Sequence, residues 1–193
     1  MKFLVLLFFL LLPSPTMALD TPTAHIRASV DAVVAILTSP EYQNATSAED
    51  KLRRIEAVVD GFFESEELSK RALAQYWRIF DGRQKEEFQV LFLKLIKQVY
   101  LKKSLTYNGE VVVYNQEIIK SETLAEVHTN LTSPSMNIPI TYYLIRKNAG
   151  WKVYDVSVEN VSLVKNYRSQ FQSILQNSAP DQLIAILREK TNA

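Results

Sequence analysis

The spacing of apolar positions changes period once along the chain. From Thr23 to Leu37, residues Ile26, Val30, Val33, Val34 and Leu37 recur at intervals of three and four, the period of one helical face, and Pro40 closes the run. Thr46 with Glu49 resembles a capping box for a second helix that carries Leu52, Ile55, Val58, Val59, Phe62 and Phe63. Ser65, followed by Glu66 and Glu67, predicts the N-cap of a third helix, with Leu68, Leu73, Tyr76 and Trp77. Asp81 and Gln84 form a cap-like pair for the longest helix, about Arg83 to Leu105. Its apolar set (Phe88, Val90, Leu91, Phe92, Leu93, Leu95, Ile96, Val99, Tyr100) exceeds the stripe of ~100° that an ordinary surface helix buries, which predicts contacts from more than one side.

At Asn108-Gly109 the period falls to two. The segments GEVVVYNQEII, TLAEVHTNLT, MNIPITYYLIRK and GWKVYDVSVE read as strands, with turns near Ser121-Glu122, Ser133-Pro134 and Asn148-Ala149-Gly150. Short connections between adjacent strands imply an antiparallel meander. A helix over Val161–Gln176 follows, with Val164, Tyr167, Phe171, Ile174 and Leu175 on one stripe. Pro180 then opens a short helix with Leu183, Ile184, Ile186 and Leu187. The expected fold is α+β: a four-stranded antiparallel sheet packed with N-terminal and C-terminal helices in one domain. Its helical part runs over about 19–107, its sheet over about 108–160 and its C-terminal helices over about 161–193.

Residues 1–18 stand apart. Lys2 precedes an apolar run from Phe3 to Leu12, Pro13 and Pro15 follow, and Thr16-Met17-Ala18 supplies small residues at a cleavage site. The run is too short to span a bilayer and reads as a secretory signal peptide, so export of a domain over 19–193 is expected.

Composition removes several function classes. The chain has no cysteine, which excludes a disulfide scaffold, a cysteine–zinc site and a cysteine nucleophile. Lack of disulfides suits a bacterial periplasm. Without Lys2 the acidic and basic residues balance, so no bulk positive field points to nucleic acid. Three N-x-S/T triplets, at Asn44, Asn130 and Asn160, are read as incidental.

Reactive groups are scarce. The two histidines, His25 and His128, lie far apart in sequence, and no nucleophile-elbow sequence accompanies them. They form no metal-ligand cluster, so neither a metal nor a catalytic residue is assigned. The acidic residues Glu64, Glu66, Glu67, Glu86 and Glu87 read as first turns of helices. Asp155 is placed by strict alternation on the face of Trp151 and Val153. A carboxylate there needs a partner, and Arg168 or Lys165 on the next helix is the natural one, forming a strand-to-helix clamp. Apolar residues, by contrast, are in excess. Val111 to Tyr114 and Tyr142 to Ile145 are apolar on both faces, where a sheet covered on one side should alternate. Pattern alone leaves two readings open: a core covered on both sides, or an internal cavity.

Four segments carry a likeness to a known family: LSKRALAQYWRIFDGRQKEEFQVLF (68–92), YLKKSLTYNGE (100–110), IPITYYL (138–144) and WKVYDVSVENVSLVKNYRSQF (151–171). With them the chain resembles the MlaC family of periplasmic phospholipid-binding proteins, also described as toluene-tolerance auxiliary components. The likeness covers nearly all of residues 19–193. Asn160 stands where the family usually has Gly, and Asp81 where Thr is common; Asn tolerates a left-handed backbone and Asp caps a helix. The resemblance implies a cone-like fold similar to nuclear transport factor two, with a helical extension, holding one phospholipid as cargo and needing no cofactor. It further implies a shuttle across the periplasm between an outer-membrane lipoprotein–porin complex and the ring protein of an inner-membrane ABC transporter, which maintains outer-membrane lipid asymmetry. A carrier of another hydrophobic ligand and an enzyme on the same fold are the alternatives. Alternation and helical spacing then propose a cavity lining: Val113, Val127, Ile140, Tyr142, Val156 and Val158 on strands, and Phe92, Leu95, Ile96, Val99, Tyr100, Val164 and Tyr167 on helices. Asp155 with Arg168 would fix the angle between strand and helix.

Overall fold

A computed structural model describes residues 20–42, 48–104, 108–148 and 150–192; the expected signal peptide and Thr46 lie outside them. The described helices are α1 (Pro22–Thr38), α2 (Ala48–Phe62), α3 (Ser65–Leu73), α4 (Gly82–Ser104), α5 (Leu163–Leu175) and α6 (Pro180–Thr191), and the strands are β1 (Val111–Ile119), β2 (Leu124–Ser133), β3 (Met136–Lys147), β4 (Gly150–Val158) and β5 (Val161–Ser162). Short 3-10 segments follow α1 (Pro40–Tyr42) and α3 (Ala74–Ile79).

Local chemistry sets most boundaries. The pair before α4 is reciprocal: Gln84 N donates to Asp81 Oδ1 at 2.8 Å and Asp81 N to Gln84 Oε1 at 3.0 Å, which satisfies two otherwise unpaired donors. At α3 the cap is Glu64, not Ser65. The Glu64 carboxylate accepts from Glu67 N, and Ser65 becomes the first helical residue. A longer side chain can serve here because it reaches back over the first turn.

The sheet is an antiparallel meander in the order β1-β2-β3-β4-β5. It has five strands rather than the expected four, because Val161–Ser162 pairs with β4 before α5 begins. The intervening turn holds Glu159 and Asn160 at φ 49° and 66°, so Asn160 takes the left-handed backbone that the sequence allows it. The other half of the β4 edge is covered by the end of α2: Glu64 N donates to Val153 O at 2.8 Å, and Phe63 bridges Val153 in parallel.

Two irregularities reset the pleat. In the β1–β2 register Asn115 is an extra residue between Tyr114 and Gln116. In β3–β4, Tyr143 opposes Asp155 while Leu144 opposes Val153, which leaves Tyr154 extra. Such a bulge inverts the inward–outward pattern beyond it. Val153, Val156 and Val158 therefore share the core face. Asp155 and Ser157 go to the opposite face, which corrects the expectation that Asp155 lies in line with Trp151 and Val153.

The helices form two depths. α1 contacts the sheet and α2; α3 and α5 contact β4 and each other; α4 packs on α2, α3 and α6. The width of the α4 apolar set is thus explained by these helical neighbours together with α5, although Val90 and Val99 at its margin stay exposed. Phe88, Phe92, Tyr167 and Phe171 interlock between α4 and α5, with ring centroids 5.2–5.7 Å apart, mostly edge-to-face as aromatic quadrupoles prefer.

Candidate functional site

Between α1, α2 and the first three strands the packing stops. A cavity of about 460 Å³ opens there, within the ~300–1,000 Å³ range of small-molecule sites. Its α1 wall is Ser29, Val30, Val33, Val34 and Leu37, its α2 wall Val58, Val59 and Phe62, and its sheet wall Glu110, Val112, Leu131, Met136, Ile140 and Tyr142. The α1 residues repeat at helical spacing and so form one continuous apolar stripe. On β3 the contributing residues Met136, Ile140 and Tyr142 stand at even spacing, on one face of the strand.

One end is closed by aromatic and cationic contacts. Phe62 meets the Tyr142 ring edge-on at 5.9 Å and stacks on His25 at 5.9 Å. Arg27 lies 4.0 Å above the Tyr114 ring and covers the seam between α1 and β1. The Tyr142 phenol is set so deeply that burial pushes its pKa up to about 12, against a smaller opposing hydrogen bond with Thr129. The other end is marked by Leu37, Glu110, Leu131 and Met136, level with the exposed turn at Pro134-Ser135.

α1 is anchored at the closed end. Thr23 N donates to Glu117 Oε2 of β1 at 2.8 Å. Trp151 Nε1 donates to Asp20 O at 3.1 Å, and Arg146 pairs with the Asp20 carboxylate at 3.4 Å. Ile26, fully buried, plugs the same end. From Val30 onward the inner stripe of the helix faces the hollow.

Two predicted lining residues, Ile140 and Tyr142, are in the cavity wall. The others lie elsewhere in the structure. Val127 is fully buried and Val156 nearly so, within the packed sheet face; Val158 packs against the same core. Phe92, Leu95, Ile96, Val164 and Tyr167 belong to the solid core under α4 and α5, with Tyr100 packed against it. Val99 and Val113 are exposed; Val113 alternates with cavity-lining Val112 and points the other way. The remaining wall residues were visible in the sequence as ordinary helix stripe and strand. Spacing shows which residues share a face, but not whether the facing elements meet.

The clamp is built differently from the expectation. Asp155 Oδ2 accepts from Ser162 Oγ at 2.6 Å and Oδ1 from Val164 N at 3.0 Å. Among the described residues no ion pair joins Asp155 to Arg168. Arg168 Nε instead donates to the Arg71 carbonyl at 2.9 Å and ties α5 to α3. The physical reason is local: the first turn of α5 offers unpaired N–H donors and the N-cap hydroxyl of Ser162, which meet the carboxylate without burying a guanidinium. Burial raises the Asp155 pKa, and these hydrogen bonds only partly offset that.

No catalytic geometry emerges from the histidines. His128 Nε2 lies 3.2 Å from Glu126 Oε2 and Nδ1 lies 3.2 Å from Thr141 Oγ1, on the sheet face away from the cavity. His25 is held between helix and sheet, its pKa lowered mainly by burial. Among the described residues no group of three or more His, Asp or Glu could hold a metal ion, and no helix is long and apolar enough to cross a membrane.

The comparisons with known proteins converge on this fold. The family model "MlaC protein" matches residues 27–189. The chain belongs to the MlaC family. It is 25% identical over 174 residues to the toluene tolerance protein ttg2D of Pseudomonas putida, covering 88% of this chain and 80% of that protein. It is 23% identical over 127 residues to the intermembrane phospholipid transport system binding protein MlaC of Haemophilus influenzae, covering 63% of this chain; the match spans 59% of that protein's length. A phospholipid-binding protein from Ralstonia solanacearum, solved in complex with a phospholipid, shares the fold: TM-score 0.78 at 19% identity, over 88% of this chain and 96% of that one. As an MlaC family member, the chain thus carries an α+β fold also found in a protein solved in complex with a phospholipid.

Proposed function

We propose that this chain is a periplasmic phospholipid carrier. The observation that carries the reading is the cavity: a pocket with apolar walls, closed at one end, in a member of the MlaC family whose structural relative was solved in complex with a phospholipid. Two acyl chains hold roughly 30 methylenes, and leaving each in water costs about 0.8 kcal/mol, so roughly 24 kcal/mol opposes free passage of the lipid through water. An apolar enclosure offsets that cost without any reactive group, which fits a binding role rather than catalysis. The lipid's hydrocarbon would lie against Val30, Val33, Val34, Val58, Val112 and Ile140, with the headgroup toward Glu110 and Met136. Export would follow cleavage of the leader at 1–18. The partners would be an outer-membrane lipoprotein–porin complex and the ring protein of an inner-membrane ABC transporter, with balanced net charge limiting adhesion to anionic bilayers.

Mass spectrometry of an organic extract of the purified mature protein tests this. Phospholipid near one per chain is expected, and Val34→Trp, which fills the hollow, should lower that occupancy while the far-UV circular dichroism stays unchanged. A folded wild type that yields no phospholipid, from the cell or after incubation with vesicles, overturns the reading.

A further inference from the structure

One carboxylate lines the open end of the cavity. Glu110 is the one charged side chain among the described residues that line it. Its Oε2 accepts from Asn108 N at 2.7 Å, and no ion pair to it forms among the described residues. The neighbouring helix end does not offset its charge. α1 ends beside this opening with no basic residue in its last turn, so its terminal carbonyls present the negative end of the helix dipole. Glu41 follows in the next turn. The positive end of α2 is met by its own Glu49 and Asp50. Arg54, one turn before Val58 on α2, is engaged by Glu41 at 3.9 Å and Asp50 at 4.0 Å. A half-buried carboxylate with one hydrogen bond and no counter-charge among the described residues is improved by a cation that arrives with the ligand.

We propose that Glu110 selects phospholipids whose headgroup carries an ammonium, and disfavours those with a purely anionic headgroup. This rests on the carrier reading. With the hydrocarbon in the hollow, the headgroup sits at the opening, where a primary ammonium can pair with Oε1 of Glu110. A headgroup bearing only a phosphate and hydroxyls brings a second negative charge to the same place. The site is partly solvated, so discrimination is modest, about two- to fivefold, as for pairs near a surface.

The test is a competition. Delipidated mature protein is offered equal amounts of phosphatidylethanolamine and phosphatidylglycerol with identical acyl chains, and the bound ratio is read by mass spectrometry. Wild type should be enriched in phosphatidylethanolamine by about two- to fivefold. Glu110→Gln should return the ratio to that offered, and Glu110→Lys should reverse it. A wild type without preference, or a preference retained in Glu110→Gln, overturns this proposal and leaves the carrier reading standing. A folded wild type that takes up neither lipid overturns both.

Discussion

The two halves of this molecule use similar apolar residues to opposite ends. Around α4, α5 and α6 the side chains interlock: Phe88, Phe92 and Phe171 are buried and in ring contact. Around α1 and α2 the valines Val30, Val33, Val34, Val58 and Val59 face an unfilled space. The difference lies in size and backing. Large aromatics on two helices reach across and meet, whereas short branched side chains on α1 and α2 stop short of β1–β3. Among the described residues α1 is anchored through Thr23, Asp20 and Ile26 at the end away from Leu37, and the wall past Val30 is not drawn inward. A hollow is thus a matter of reach and anchoring, not of hydrophobicity.

Three sets of substitutions break or sharpen this contrast. The largest effect is expected in the solid half: Phe92→Ala should cost about 3–5 kcal/mol in urea unfolding, because the removed ring leaves a void that its neighbours cannot fill. Val34→Ala, on a wall already facing space, should cost under about 1 kcal/mol. Equal losses at both positions would mean that the hollow is filled in solution.

Next comes the corner between β4 and α5. Asp155→Ala should cost about 1–3 kcal/mol, since Ser162 Oγ and Val164 N lose their acceptor. Asp155→Asn should cost less. The two also differ in pH response. The folded pKa of Asp155 is raised by burial, so the folded state binds its proton more readily than the unfolded chain. Its contribution is greatest below the ordinary carboxylate pKa and diminishes as pH rises through the raised value. Wild type should therefore gain on Asp155→Asn as pH falls through the mildly acidic range; denaturation midpoints against pH check this, and parallel curves would contradict it.

The smallest effect belongs to the hollow half. The Tyr142 pKa of about 12 means that stability held below the unfolded value near 10 is lost as pH rises from there to about 12. Wild type should lose about 1 kcal/mol relative to Tyr142→Phe by about pH 11, seen as a faster fall in thermal midpoint.

Much of the fold was legible in the sequence. β3 has its predicted bounds, and the other strands begin or end within a residue or two, because alternation between turn residues is a two-residue signal that survives tertiary packing. The Asp81–Gln84 cap and the left-handed Asn160 were likewise carried by local chemistry. The cavity lining was not. Val33 and Phe92 give the same periodic signal, and which of them meets a neighbour depends on how far apart two elements stand. The place of Asp155 was missed for a related reason: alternation assumes an unbroken pleat, and nothing in WKVYDVSV marks Tyr154 as supernumerary.

That extra tyrosine gives β4 two phases. Before it, Trp151 and Val153 are in step with the core; after it, Val156 and Val158 are. Inserting or deleting a single residue on either side would trade valines for Asp155 and Ser157 across the sheet and undo the corner with α5. Changes of length in this strand conserve its function only in even steps.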